Sequence, residues 1–245
     1  MPIGIILLLI DVACIVHAAK TGRFMPWGLV ILFLPGFGAA AYVLIELVPA
    51  WFGSVQGQQA RARVAATLDP GKRYRLLTDD LAGLDTIANR SALAEECLAL
   101  GRYDEALQHY QHILSLPLGD DPIYVLGRAR AQFGLGRFDD AIVSLDNLRA
   151  RWPDYQSAEG HLLYARALED SGRTDDALAE YQALANYYPG AEARVRYGLL
   201  LGKAGRQAEA RSVLTEALTQ LKRAPKYVRQ AQAEWIALAE KAMRS

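Results

Sequence analysis

The chain has 245 residues, 27 of them Lys or Arg and 27 Asp or Glu, and 52% are apolar. Balanced charge withholds the basic excess that nucleic-acid binding requires. Two cysteines in separate regions, Cys14 and Cys97, do not make a disulfide framework.

From the amino end, Ile3 to Ala19 is an apolar run broken only by Asp11 and His17, and Trp27 to Val48 is a second, broken only by Glu46. As helices they would measure about 25 Å and about 33 Å, at about 1.5 Å per residue, close to the ~30 Å of a bilayer core. Lys20, Thr21, Gly22 and Arg23 between them suit a tight hairpin loop. Trp27, Tyr42 and Trp51 suit interfacial anchoring. Pro35-Gly36-Phe37-Gly38 is expected to kink the second helix and let helices approach closely. The first run has no basic residue before it and only Ala18-Ala19 as a cleavage site, so it reads as retained rather than as a signal peptide. Asp11 is an ionisable group inside an apolar helix, where its charge is costly. It is either functional or the hydrogen-bonded acid that pairs the two helices.

His17, Lys20 to Arg23, Trp27, Pro35 to Gly38, Tyr42, Glu46 and Pro49 together resemble the amino-terminal membrane segment of phospholipase D-type cardiolipin synthases. The resemblance implies a membrane module with a cytoplasmic carboxyl-terminal domain. It does not extend to the chemistry, which needs a Lys two residues after its His. His17, His109, His112 and His161 are followed there by Ala19, Gln111, Leu114 and Leu163.

A polar spacer, Gly53 to Gln59, leads to a turn at Asp69-Pro70-Gly71 and a short amphipathic helix near Lys72 to Leu81. One pattern then recurs four times: Leu100-Gly101-Arg102, Leu135-Gly136-Arg137, Ser171-Gly172-Arg173 and Ala204-Gly205-Arg206. The glycines are 35, 36 and 33 residues apart. Seven positions before each glycine stands a small residue: Ala94, Ala129, Ala165 or Gly198. Five positions after it stands Ala106, Ala141, Ala177 or Ala210, and four further on a large one, Tyr110, Leu145, Tyr181 or Leu214. Each glycine is placed to end a first helix. Acids such as Asp104, Asp139 and Asp175 fall in the first turn of a second helix, facing the positive end of its dipole. A period near 34 with this spacing marks a helix–turn–helix solenoid. It resembles the tetratricopeptide repeat family over about residues 86 to 224. In the first copy Pro117 comes one place early, and the fourth lacks the closing proline. Asp85 or Thr86 is placed to cap the first repeat. Lys226 to Met243 is expected to form one capping helix, with Tyr227, Val228, Ala231, Trp235, Leu238 and Ala242 on one face.

The expected fold is therefore all-α. It comprises a transmembrane hairpin over 1–50, a linker with a short helix over 51–85, about four tetratricopeptide-like helix pairs over 86–224, and a capping helix over 225–245. In the family it resembles, the first helix of each pair lines a concave groove. That places Arg130 and Arg166, one repeat apart, in line along the groove, with Arg196 close by and Leu126, Phe133 and Leu162 on or near the same face. Arg suits bidentate capture of carboxylates. The arginines either receive an acidic peptide or pair with Glu95, Glu159, Glu169 or Glu192 between repeats. His109 and His112 share a helix face but lack the further ligands of a metal site. No catalytic residue, cofactor or metal is expected. The resemblances imply a non-catalytic scaffold that holds a protein or peptide partner, in a bacterial inner membrane with the repeats in the cytoplasm. The alternative is a small subunit or assembly factor of an envelope or transport complex, in which Asp11 acts within the bilayer.

Overall fold

The computed structural model describes residues 2–22, 24–47, 69 and 71–244. The expected polar spacer and Trp51 lie outside the described residues. The chain divides into two units, Met1–Lys72 and Arg73–Ser245.

The first unit contains α1 (Pro2–Lys20), α2 (Phe24–Phe33) and α3 (Phe37–Tyr42), the last continuing as one π-helical turn (Val43–Leu47). The second apolar run is thus not one kinked helix: it breaks at Leu34 to Gly36. Gly36 has φ 82°, a conformation open to glycine. At Gly38 a Cβ would fall 2.6 Å from the backbone of Val30 and Ile31, so the bend closes too tightly for any side chain. Among the described residues no helix is long and apolar enough to cross a membrane. The interior of this unit holds Cys14, Ala18, Ile31, Ala39 and Tyr42. The Tyr42 hydroxyl lies 2.8 Å from His17 Nδ1, and Trp27 meets the Tyr42 ring edge-on at 5.4 Å.

The second unit opens with α4 (Lys72–Gly83), which packs Tyr74, Leu77 and Leu81 against the first repeat. Four helix pairs follow: α5 (Ile87–Ala99) with α6 (Tyr103–Ser115), α7 (Pro122–Gly134) with α8 (Phe138–Arg151), α9 (Ala158–Asp170) with α10 (Thr174–Leu184), and α11 (Glu192–Lys203) with α12 (Gln207–Arg223). Thr86 caps α5 by accepting the Asn89 N–H. The recurring Gly-Arg is a helix stop followed by a helix start. Gly101, Gly136, Gly172 and Gly205 all have φ between 71° and 82°. The following Arg N–H returns to a carbonyl five residues back, 2.8 Å for Arg102 to Cys97 and 2.9 Å for Arg137 to Gln132. Each Arg side chain then pairs with an acid three residues on, as in Arg137–Asp140 at 2.7 Å and Arg206–Glu209 at 2.7 Å.

The small residues do what their spacing implies. Ala94, Ala106, Ala129, Ala141, Ala165 and Ala177 are fully buried between paired helices. A Cβ at Gly198 would sit 2.6 Å from Leu214, and one at Gly127 would sit 2.4 Å from the ring of Tyr110 in the preceding repeat. Large residues of one helix thus occupy the space left by glycine on the next. The carboxyl end departs from expectation. It is two short helices, α13 (Lys226–Ala231) and α14 (Ala233–Ala242), parted at Gln232. Gln232 Oε1 accepts the Ala191 N–H at 3.1 Å, tying the break to the start of α11. The break turns the apolar face, so Trp235, Ile236, Ala239 and Met243 pack inward while Tyr227 stays exposed.

Between α9 and α10, His161 Nε2 contacts Glu180, and Arg149 of α8 reaches the other Glu180 oxygen at 3.3 Å. The hydrogen bond from His161, and then its charge and that of Arg149, hold the Glu180 carboxyl below its ordinary 4.5. A depressed carboxyl stabilises the fold above its unfolded pKa, and that stability is lost as pH falls through the folded value. Glu180→Gln is therefore expected to lower the unfolding midpoint near pH 6 and to flatten its decline below about pH 4.5, where the parent loses the contribution. Thermal circular dichroism of the two proteins across pH 6 to 3 checks this.

Candidate functional site

The first helices of successive pairs touch, α5 with α7 and α7 with α9, and so form one continuous wall. The arginines singled out by their spacing stand on this wall, where they link neighbouring repeats. Arg130 Nη1 donates to both oxygens of Glu95, at 3.0 and 2.9 Å. Arg196 donates to Glu192 at 2.9 Å and lies 3.5 Å from Glu169. Arg166 lies 3.9 Å from Glu192, and its guanidinium stands 4.8 Å from the Phe133 ring. Lys203 adds a second cation to Glu169, at 3.3 Å.

One arrangement occurs twice. A tyrosine on a second helix donates to a glutamate on the first helix of its own repeat, and that glutamate binds an arginine from the next repeat. Tyr110, Glu95 and Arg130 form the first set, with the hydroxyl at 2.5 Å. Tyr181, Glu169 and Arg196 form the second, with the hydroxyl at 2.8 Å. Burial, together with the neighbouring carboxylate, raises both phenols above their ordinary range, so they remain donors. The sequence signal is Tyr instead of Leu at the large position of the first and third repeats.

The apolar candidates differ in what they present. Leu162 is 3% exposed and belongs to the core, so it offers a partner almost no surface. Leu126 and Phe133 are partly buried against the same core. Arg130 keeps 47% of its side chain exposed, and Arg166 34%. In the first unit, Asp11 is 5% exposed and accepts the Gly36 N–H on both oxygens, at 3.0 and 3.1 Å. It joins α1 to the start of α3. His109 meets Arg90 at 3.4 Å, and no group of three His, Cys, Asp or Glu among the described residues could hold a metal ion.

These helix pairs, their glycine stops and their wall of first helices define a tetratricopeptide-repeat solenoid. Tetratricopeptide repeat family models match residues 126–187 and 162–228, and residues 90–112. A thermophilic TPR protein of Thermus thermophilus, known from its crystal structure, is similar in fold. The two share 20% identity with a TM-score of 0.55, over 76% of this chain and 99% of that one. No curated protein matches the chain.

Proposed function

We propose that this chain is a membrane-anchored, non-catalytic scaffold that holds a protein or peptide partner on the wall of its first helices. The solenoid carries the partner half of the reading, since repeats of this kind suit extended protein surfaces. The half-exposed Arg130 and Arg166 are offered to acidic side chains of the partner, which exchange with Glu95 and Glu192. Rising salt should then weaken capture, because such charges are screened within about 8–10 Å.

The anchor rests on the first unit's surface. Leu8, Leu9, Val12, Val16, Leu29, Leu32, Phe33 and Phe37 are all exposed, while Asp11 is buried and His17 bonds inward to Tyr42. Apolar side chains outside and polar groups satisfied inside suit a lipid environment rather than water. No single described helix need cross the bilayer for the hairpin to enter it. We place the repeats in the cytoplasm of a bacterial cell. Arg61 and Arg63 close after the hairpin equal Lys20 and Arg23 in its loop, and Lys72, Arg73 and Arg75 farther along tip the balance toward the side that positive charge favours. Alkaline carbonate extraction of cell membranes tests the anchor. The full chain should stay with the pellet, and release into the supernatant would overturn it.

A further inference from the structure

At the junction of the second and third repeats, α8, the loop after it and the start of α9 line a half-open cavity of about 730 Å³. That volume lies in the range of small-ligand sites. Leu145 and Leu148 of α8 supply aliphatic lining, and Trp152, Tyr155, Tyr164 and Tyr187 supply aromatic surface. α9 contributes the small residues Ala158 and Gly160 to the lining, after a Ser157 cap that accepts the Gly160 N–H at 2.9 Å.

The polar groups divide unequally. His161 Nε2 contacts one Glu180 oxygen, and its Nδ1 lies 2.5 Å from the Tyr187 hydroxyl. Arg149, 58% exposed, makes one long contact of 3.3 Å to the other Glu180 oxygen and stands 5.1 Å from the Tyr164 ring. A guanidinium has five N–H donors in a planar fork. Among the described residues, Glu180 is the only hydrogen-bond partner of this one. The cavity therefore offers flat apolar walls and a cation with donors to spare. Two carboxylates lie near it: Glu180, shared with His161, and Asp146, which bonds the hydroxyl of the lining Tyr164.

We propose that this cavity binds an aromatic carboxylate: the ring lies among the tyrosines and Trp152, and the carboxylate takes the free edge of Arg149 in a bidentate pair. Two sources carry this chemistry, the carboxyl-terminal aromatic residue of a partner protein and a free aromatic acid. None of its lining residues is among the arginines and apolar residues named on the wall of first helices, so either reading can fail without the other.

The full chain in detergent micelles is titrated by calorimetry with N-acetyl-L-tryptophan and with N-acetyl-L-tryptophanamide, which lacks the charge. Saturable binding of the acid, with the amide at least ten-fold weaker, is the expected result. Arg149→Gln should bring the acid down to the level of the amide with helicity unchanged. Tyr187→Ala, which shortens an exposed wall, should weaken acid and amide alike. A tetrapeptide ending in tryptophan with a free carboxylate separates the sources: tighter binding than the single residue indicates a protein terminus, and equal binding a free acid. Equal affinities for acid and amide, no saturable binding of either, or acid binding that Arg149→Gln leaves unchanged would overturn the proposal.

Discussion

Gly119→Ala is expected to destabilise the repeat unit more than alanine at any of the four turn glycines, although Gly119 lies in a connection between repeats. A Cβ there would stand 1.7 Å from the Ile113 carbonyl oxygen and 2.6 Å from its carbon, backbone atoms that cannot swing aside. The crowding follows from the early Pro117. Pro117 follows its glycine one place sooner than Pro153 and Pro189 follow theirs, and the chain must still reach Asp121, which caps α7. It does so by a turn in which the Gly119 N–H returns to Leu116 at 3.0 Å, pressing Gly119 onto the end of α6. Relieving the clash means moving that turn, at a cost of about 1–3 kcal/mol or more by analogy with overpacked cores. Gly136 has φ 72° but open space around it, so Gly136→Ala meets only the left-handed penalty of about 1–2 kcal/mol. Thermal unfolding followed by circular dichroism compares them. The larger fall in midpoint belongs to Gly119→Ala, and an unchanged midpoint there would mean the connection does not pack as described.

The second large effect is expected at Asp11. Its carboxylate satisfies the Gly36 N–H where the second apolar run breaks. Asp11→Ala leaves that donor unpaired, which costs about 1–3 kcal/mol in a protein interior and more in lipid. Asp11→Asn keeps one acceptor oxygen and should be milder. Hydrogen exchange of the Gly36 amide in detergent micelles reads this directly. Exchange should quicken by about ten-fold or more in Asp11→Ala, since about 1.4 kcal/mol is a factor of ten, and by less in Asp11→Asn. Equal rates in all three proteins would show that the carboxylate does not hold the break, and would return Asp11 to the role of an intramembrane functional acid.

The repeats were legible because their signals are local. A glycine at positive φ and an alanine where two helices touch are demands that a single position meets, so Gly101, Gly136, Gly172 and Gly205 and the buried alanines follow from spacing alone. Thr86 as a cap is local in the same sense. What was not legible depends on partners distant in sequence. Pro35-Gly36 announces a bend, but that the bend becomes a break depends on Asp11, 25 residues earlier, accepting the Gly36 N–H. The carboxyl-terminal helix reads as continuous because nothing between Lys226 and Met243 forbids it. It breaks at Gln232, whose side chain is engaged by Ala191, 41 residues away.

The candidate site shows the same division. Periodicity aligned Arg130 with Arg166, but whether a guanidinium is offered to a partner or held by a neighbour depends on side-chain reach across repeats. Arg130 reaches Glu95, 35 residues earlier. Leu162 fell on the expected helix but turns into the core, since a difference of one position on a helix separates wall from interior. The cavity at Arg149 had no signal in the repeat pattern, because much of its lining comes from the loop between α8 and α9, outside the repeating positions.

The proposed function has a protein partner against the wall of first helices while the chain sits in a membrane. Site-specific photocrosslinking in intact cells tests it most directly. A benzophenone amino acid replaces Phe133 on the wall or, as a control, Val143, which is 59% exposed on the second helix of the same pair. A discrete protein adduct is expected in the membrane fraction from position 133 and none from position 143. Adducts of equal yield from both positions, or an adduct from position 133 confined to the soluble fraction, would contradict it.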